Sequence, residues 1–423
     1  VKNFHEAEES TEIADINKRD KTFTAHIGIL GFLDNLRKGQ SIIPAIPPIP
    51  GTEITHPTNQ DLEEIFSPKK EGWLKIGNLL RNKEIEAKIN LDKIVSRHLG
   101  ILAMTGMGKS NLVSLITKKI SEVKGTVIIF DYHNDYTTLN IPNVNVIDAK
   151  INPRLLEADQ FSEVLEIREN ADVQQRVLRM SFTQEVKEAG EFWNKLEYEV
   201  ASLVNSEDKK LKEIRTSAYR VQDIIEDAQR RFDDILDPEV GNPMDYIKEG
   251  YTNIINISEL SEKQANVAMG FYLQQLLKDR KNATIAKHGK SKKQKDYKFF
   301  EPVFIILEEA HVFIPKDHDT AAKYWAAKIA REGRKFGVGL AIVSQRPRSV
   351  DLNILSQMGS FAIMKIIQED DQRQIASATE STSRELISQL TSLNVGDAVL
   401  VGQWTNLPSM VHVEEVKEKK MGA

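Results

Sequence analysis

Apolar and polar positions divide the chain into four stretches. Through residues 1–90 the apolar runs are short. The run at 26–33 leads to a proline-dense segment at 42–50, and Trp73, Leu74, Ile76 and Gly77 make another brief run. Prolines at that density exclude helix interiors and central strands. Short strands broken by Gly and Pro predict a small β-barrel or sandwich. Residues 91–154 behave differently. Positions 99–104 read as a buried strand, 110–123 repeat apolar residues at helical spacing through Leu112, Leu115, Ile116 and Ile120, and 126–130 form a second β-branched run. Such alternation predicts a parallel sheet with crossover helices.

Residues 155–250 are charged and helical in period, through Val164, Ile167, Val173 and Val177 and again through Tyr219, Ile224, Ile225, Ala228 and Phe232. They are expected to form a helical insertion, with a separate all-α domain as the alternative. Alternation returns over 251–415, with strands expected at 253–257, 303–307, 339–344 and 361–366 and helices at 262–280 and 321–336. The lysines at 287, 290, 292, 293, 295 and 298 surround Gly289 and read as a loop, either a solvated surface or a contact to DNA phosphates. Residues 416–423 remain as a tail. The expected architecture is therefore α/β: a core of mostly parallel sheet in two segments, 91–154 and 251–415, with an N-terminal β-barrel over 1–90 and a helical insertion over 155–250.

Composition narrows the possibilities. The 423 residues are 40% hydrophobic and 28% charged, which excludes wholesale disorder. No stretch approaches the ~18 apolar residues of a membrane helix, so no membrane association and a cytoplasmic location are expected. The chain begins at Val1, and the start of its first domain is expected to be missing. With no cysteine, disulfides, iron–sulfur clusters and cysteine nucleophiles are excluded. A formal charge of −5 excludes a uniformly basic nucleic-acid binder, so any such partner needs a local basic surface.

The strongest chemical signal is Ala103-Met104-Thr105-Gly106-Met107-Gly108-Lys109-Ser110, between a predicted strand and a predicted helix. It matches G-x-x-x-x-G-K-[ST] except for Ala103. Thr105, Gly106, Met107 and Gly108 would present backbone N–H groups to the phosphates of ATP. The helix start at Ser110 and Asn111 adds a favourable dipole. Lys109 would reach the β/γ oxygens, and the Ser110 hydroxyl would ligate Mg²⁺. A second apolar run, 303–307, ends in Glu308 and Glu309. Beside a phosphate loop, Glu308 would hold Mg²⁺ and Glu309 would polarise the attacking water; an acid at a helix start is the alternative for Glu308. Arg331, Arg334 and Lys335 close the predicted helix at 321–336. They suit a helix C-terminus, or Arg334 acts as an arginine finger on a neighbouring subunit's nucleotide. Gln345 follows the next strand and could sense the γ-phosphate. Arg97 before the first strand and Asp131 after the second are expected at the edge of the site, or as salt-bridge partners.

The segments AMTGMGKSN, LEEAH and IAREGRKFGVGLAIVSQRP, in that order, resemble the HerA family of DNA-translocating ATPases. The resemblance implies a RecA/FtsK-like fold, an N-terminal HAS-type barrel, and a ring, usually a hexamer, with ATP between subunits. It also implies transport of double-stranded DNA through the ring and a NurA nuclease partner in end resection for recombinational repair. By the family's motifs, Lys109 is the phosphate-loop lysine, Glu309 the water-activating glutamate and Arg334 the finger in trans. Arg97, Asp131 and Gln345 support the site. Ala103, and Glu308 in place of the commoner aspartate, depart from the pattern. Two other readings remain at this stage: a type IV secretion or conjugation coupling ATPase, and a nucleotide-gated scaffold for a nuclease.

Overall fold

A computed structural model of the chain describes residues 4–6, 23–25, 28–49, 51–168, 170–205, 214–233, 235–287, 297–379 and 384–416. Two short strands, β1 (Phe4–Glu6) and β2 (Phe23–Ala25), pair antiparallel. Among the described residues every other strand joins one sheet: β3 (Trp73–Leu79), β4 (Asn82–Asn90), β5 (Leu99–Leu102), β6 (Thr126–Asp131), β7 (Val144–Asp148), β8 (Thr252–Asn256), β9 (Val303–Leu307), β10 (Val338–Ser344), β11 (Ser360–Ile363), β12 (Asp397–Gly402) and β13 (Ser409–Val413). Their order is β4-β3-β13-β12-β11-β5-β10-β9-β6-β8-β7.

From β11 to β7 every neighbour is parallel. The remaining strands, β12 to β4, are added antiparallel. The parallel strands β5, β6, β9 and β10 are buried at every position, as uninterrupted apolar runs require when both sheet faces are covered. Alternate residues enter opposite cores. Ile128, Phe130, Ile305, Leu307 and Ile342 face one side, with the helices Glu262–Lys287 and Ala321–Glu332. Val127, Ile129, Phe304, Ile306 and Val343 face the other, with the helix Lys109–Glu122.

Among the described residues between β7 and β8 lie five α-helices: Ala158–Val164, Asp172–Ser181, Gln184–Glu188, Phe192–Asn205 and Arg215–Arg231. Their buried residues, among them Phe161, Val177, Leu196, Val221 and Ile225, belong to the same apolar cluster as Phe130 and Ile255 of the sheet.

The expected boundary at residue 90 is not where the architecture changes. Strands β3 and β4 are part of the large sheet, through β3 hydrogen-bonded to β13. The alternation of β4, with Ile85, Ala87 and Ile89 buried, identifies a strand but names no partner. Of the expected barrel, β1 and β2 are the only strands among the described residues before Trp73, and much of the segment lies outside those residues. The run at 26–33 is not a strand where described: 28–32 are irregular and a helix covers Leu33–Arg37. The lysines at 290, 292, 293 and 295 and the tail from 417 also lie outside the described residues.

Candidate active site

The phosphate loop leaves β5 between β11 and β10. Ala103 N–H donates to the Ser344 carbonyl at 3.2 Å and Met104 N–H to the Lys365 carbonyl at 3.1 Å, so the loop is tied to both neighbours. Ala103 is fully buried, and its methyl belongs to the core. Gly106 and Gly108 have φ of 80° and 99°, and Gly108 caps the helix Lys109–Glu122. This left-handed backbone, costly for other residues, turns successive N–H groups to one side. A Cβ at Gly108 would also meet Met364 Cε at 3.3 Å.

Three contacts brace the loop. Thr105 donates its hydroxyl to Gln345 Oε1. The Met107 carbonyl accepts from Gly396 N–H at 3.1 Å. Asn111 is engaged by the chain beyond β13: its Nδ2 donates to the Glu414 carbonyl at 2.9 Å and its Oδ1 accepts from Val416 N–H at 2.8 Å. Its side chain therefore clamps the C-terminal segment to the loop helix.

The acids after β9 meet this loop. Lys109 Nζ donates to Glu309 Oε1 at 2.7 Å and lies 3.3 Å from Glu308 Oε2. Both glutamates are 4% exposed. Burial would lower the Lys109 pKa, but the Glu308 charge and the bond to Glu309 outweigh it and hold the pKa above its ordinary value. Burial raises the Glu308 pKa against the opposing Lys109 charge and a hydrogen bond from Tyr136. Glu309 has φ 46° and ψ 44°, a strained left-handed conformation for a side-chain-bearing residue. Its Oε2 lies 3.2 Å from His311 Nδ1 outside hydrogen-bond geometry and accepts no hydrogen bond among the described residues. A buried carboxylate oxygen with spare acceptor capacity suits proton abstraction from water. Burial lowers the His311 pKa, so its ring is neutral near pH 7.

Asp131, fully buried at the end of β6, organises the next turn. It accepts from the N–H groups of Asp135 at 2.9 Å and Tyr136 at 2.8 Å. Asp135 Oδ2 in turn accepts from the Ser110 hydroxyl at 3.2 Å, and Tyr136 donates its hydroxyl to Glu308 Oε1. Asp135 and Tyr136 escaped the sequence reading. Only the placement of β6 beside β9 brings Tyr136 to a carboxylate 172 positions away.

The structure corrects the placement of Arg97. It ends the helix Leu91–Arg97, at the amino end of β5, whereas the phosphate loop leaves the carboxyl end. A residue that precedes a strand lies at the wrong end for a ligand bound at strand C-termini. Arg334 shares that far end. It is exposed, lies in the turn Gly333–Phe336 before β10, and makes no side-chain hydrogen bond or ion pair among the described residues. The six residue steps from Val338 to Ser344 span about 20 Å, beyond an arginine's reach. Neither arginine touches its own chain's loop.

The donor set suits ATP with Mg²⁺. Ser110 and Glu308 supply only oxygen. Among the described residues no cluster of three metal-ligating side chains forms an all-protein cage, and Mg²⁺ commonly takes one or two protein oxygens beside phosphates and water.

A phosphate loop at the carboxyl end of one strand of a parallel sheet, facing paired acids that follow a strand two places away, defines an ATPase of the phosphate-loop class. Residues 74–276 match the family model for the central domain of helicase HerA. Among curated proteins, the chain is 39% identical to the DNA double-strand break repair helicase HerA of Sulfurisphaera tokodaii, over 90% of this chain and 76% of that one. It is 36% identical to the protein of that name from Sulfolobus acidocaldarius, over 97% and 81%. The chain belongs to the HerA helicase family. Among solved structures, VirB4 of Thermoanaerobacter pseudethanolicus aligns with a TM-score of 0.57 and 14% identity, over 82% of this chain and 98% of that one. The bacterial conjugative coupling protein TrwB aligns at 0.53 and 11%, over 84% and 91%. At these identities the likeness concerns the fold.

Proposed function

We propose that this protein is a ring-forming, ATP-driven translocase of double-stranded DNA that works in the cytoplasm with a NurA-type nuclease to resect broken ends.

 The expected ring is a hexamer. The observation that carries this reading is the separation of Arg334 and Arg97 from their own chain's phosphate loop. A head-to-tail interface, which generates rings when its rotation closes, would bring the amino end of β10 in one subunit to the phosphate loop of the next. The names of the HerA relatives, repair helicases of double-strand breaks, support the substrate class and the process.

The chemistry follows from the chain's own groups. The loop N–H groups from Thr105 to Ser110 and the helix start receive the phosphates. Lys109 exchanges its bond to Glu309 for the γ-phosphate, and that exchange frees the Glu309 carboxylate to accept a proton from the attacking water. Ser110 and Glu308 would hold Mg²⁺, which offsets charge on the phosphoryl oxygens when bound. Gln345, tied to Thr105, reports γ-phosphate occupancy to the end of β10. Arg334 of the adjoining subunit stabilises the transferring phosphoryl group, so turnover depends on how neighbours sit. Changes in that seating move the duplex through contacts to its phosphates.

The test is steady-state ATP hydrolysis with and without linear duplex DNA, beside Glu309→Gln. Duplex should stimulate hydrolysis. The variant should still bind ATP while turnover falls by about 10²-fold or more, the scale of lost general-base catalysis. Turnover indifferent to DNA would contradict the translocase reading, and turnover retained by the variant would remove Glu309 from its role.

A further inference from the structure

The turn from Asp131 to Tyr136 does more than connect β6 to the next segment. Its closing bonds, from the N–H groups of Asp135 and Tyr136 to the two Asp131 oxygens, aim two consecutive side chains at the phosphate loop. One accepts from Ser110 and the other donates to Glu308. Those are the two residues read above as the Mg²⁺ side of the site. The Tyr136 ring is fully buried within the cluster that holds Leu112 and Ile116 of the loop helix, so packing fixes the direction of its hydroxyl. Glu308 then has Oε1 held by Tyr136 and Oε2 facing Lys109. A carboxylate offers about four acceptor positions over its two oxygens, so both contacts leave room for a metal or its water.

We propose that Tyr136 is a positioning residue for Mg²⁺: its hydroxyl fixes the Glu308 carboxylate on the metal side of the site, and the Asp131 turn places it there. The proposal rests on the reading of Ser110 and Glu308 as the metal side and adds the residue that orients it. Changing groups that orient a metal ligand without touching the metal typically costs about 10–100-fold in metal affinity or activity. Phenylalanine at 136 preserves the packing and removes the hydroxyl alone.

The test is the affinity of the full chain for a fluorescent ADP, measured in excess Mg²⁺ and in EDTA, for the parent protein and Tyr136→Phe. In EDTA the two should agree within about twofold. The Mg²⁺-dependent gain in affinity should shrink about tenfold in the variant, the lower end of outer-shell effects on metal sites. The Mg²⁺ concentration for half-maximal ATP hydrolysis should rise by the same factor, with high Mg²⁺ restoring the rate. An undiminished Mg²⁺ gain, or an equal loss with and without Mg²⁺, would overturn the proposal. A parent protein with no Mg²⁺ gain would overturn the metal-side reading itself, a distinct result. Should the variant not fold, 3-fluorotyrosine placed at position 136 of the parent sequence gives an independent readout. Its ¹⁹F signal should shift when Mg²⁺ joins the ADP complex, and an unmoved signal would overturn the assignment.

Discussion

Single residues at this site work because burial changes what their groups can do. Glu309 is held in a strained backbone conformation with one oxygen on Lys109 and the other unbonded, a combination that catalytic groups tolerate and structural ones rarely do. His98 shows burial acting on stability instead. It lies between the helix Leu91–Arg97 and β5, and its Nδ1 accepts the Leu340 N–H at 3.0 Å. Burial pushes its pKa down from 6.5 to about 4, against a hydrogen bond with Ala330. Between those values the unfolded chain takes up a proton that the folded chain refuses, so stability falls as pH drops from 6.5 toward 4. From pH 7 to pH 5 this amounts to about 2 kcal/mol. In urea unfolding at both pH values, His98→Gln should lack that increment. An identical pH dependence in parent and variant would show that His98 is not held neutral.

At the scale of elements, the attachment of β3 to β13 is the joint that ties the antiparallel strands before the phosphate loop to those after the parallel sheet. A Cβ on Gly77 would lie 2.0 Å from the His412 carbonyl oxygen, so Gly77→Ala must push the strands apart. Unfolding measurements should register a loss of about 1–3 kcal/mol, the range for overpacking, and an unchanged midpoint would contradict the close packing. This joint is also where the sequence was least legible. The continuous apolar runs of β6, β9 and β10 announce strands buried on both faces. The alternating pattern of β4 announces a strand but not the sheet it joins, because pairing across more than 300 positions leaves no local trace. The candidate site divides in the same way. Lys109, Glu308 and Glu309 stand in recognisable local patterns, whereas Tyr136 and Asp135 acquire meaning only from the neighbours of β6. Arg97 was misplaced because strand direction, not proximity in sequence, decides which end of a parallel sheet a residue occupies.

For the whole molecule, the proposed function divides one reaction between the two ends of the sheet. The carboxyl end holds the phosphate loop and the acids, and the amino end exposes Arg334. The account holds that a neighbour completes the site. The most direct test mixes two inactive variants, Glu309→Gln and Arg334→Ala, and follows duplex-stimulated ATP hydrolysis. Each variant alone should bind ATP and fail to turn it over. A mixed assembly contains interfaces that join an intact Glu309 to an intact Arg334 from the adjoining subunit. Random head-to-tail assembly makes about one interface in four of this kind, so hydrolysis should return to roughly that fraction of the parent rate. A mixture as inactive as its components, after subunit exchange has been verified, would contradict a shared site, as would turnover by Arg334→Ala alone.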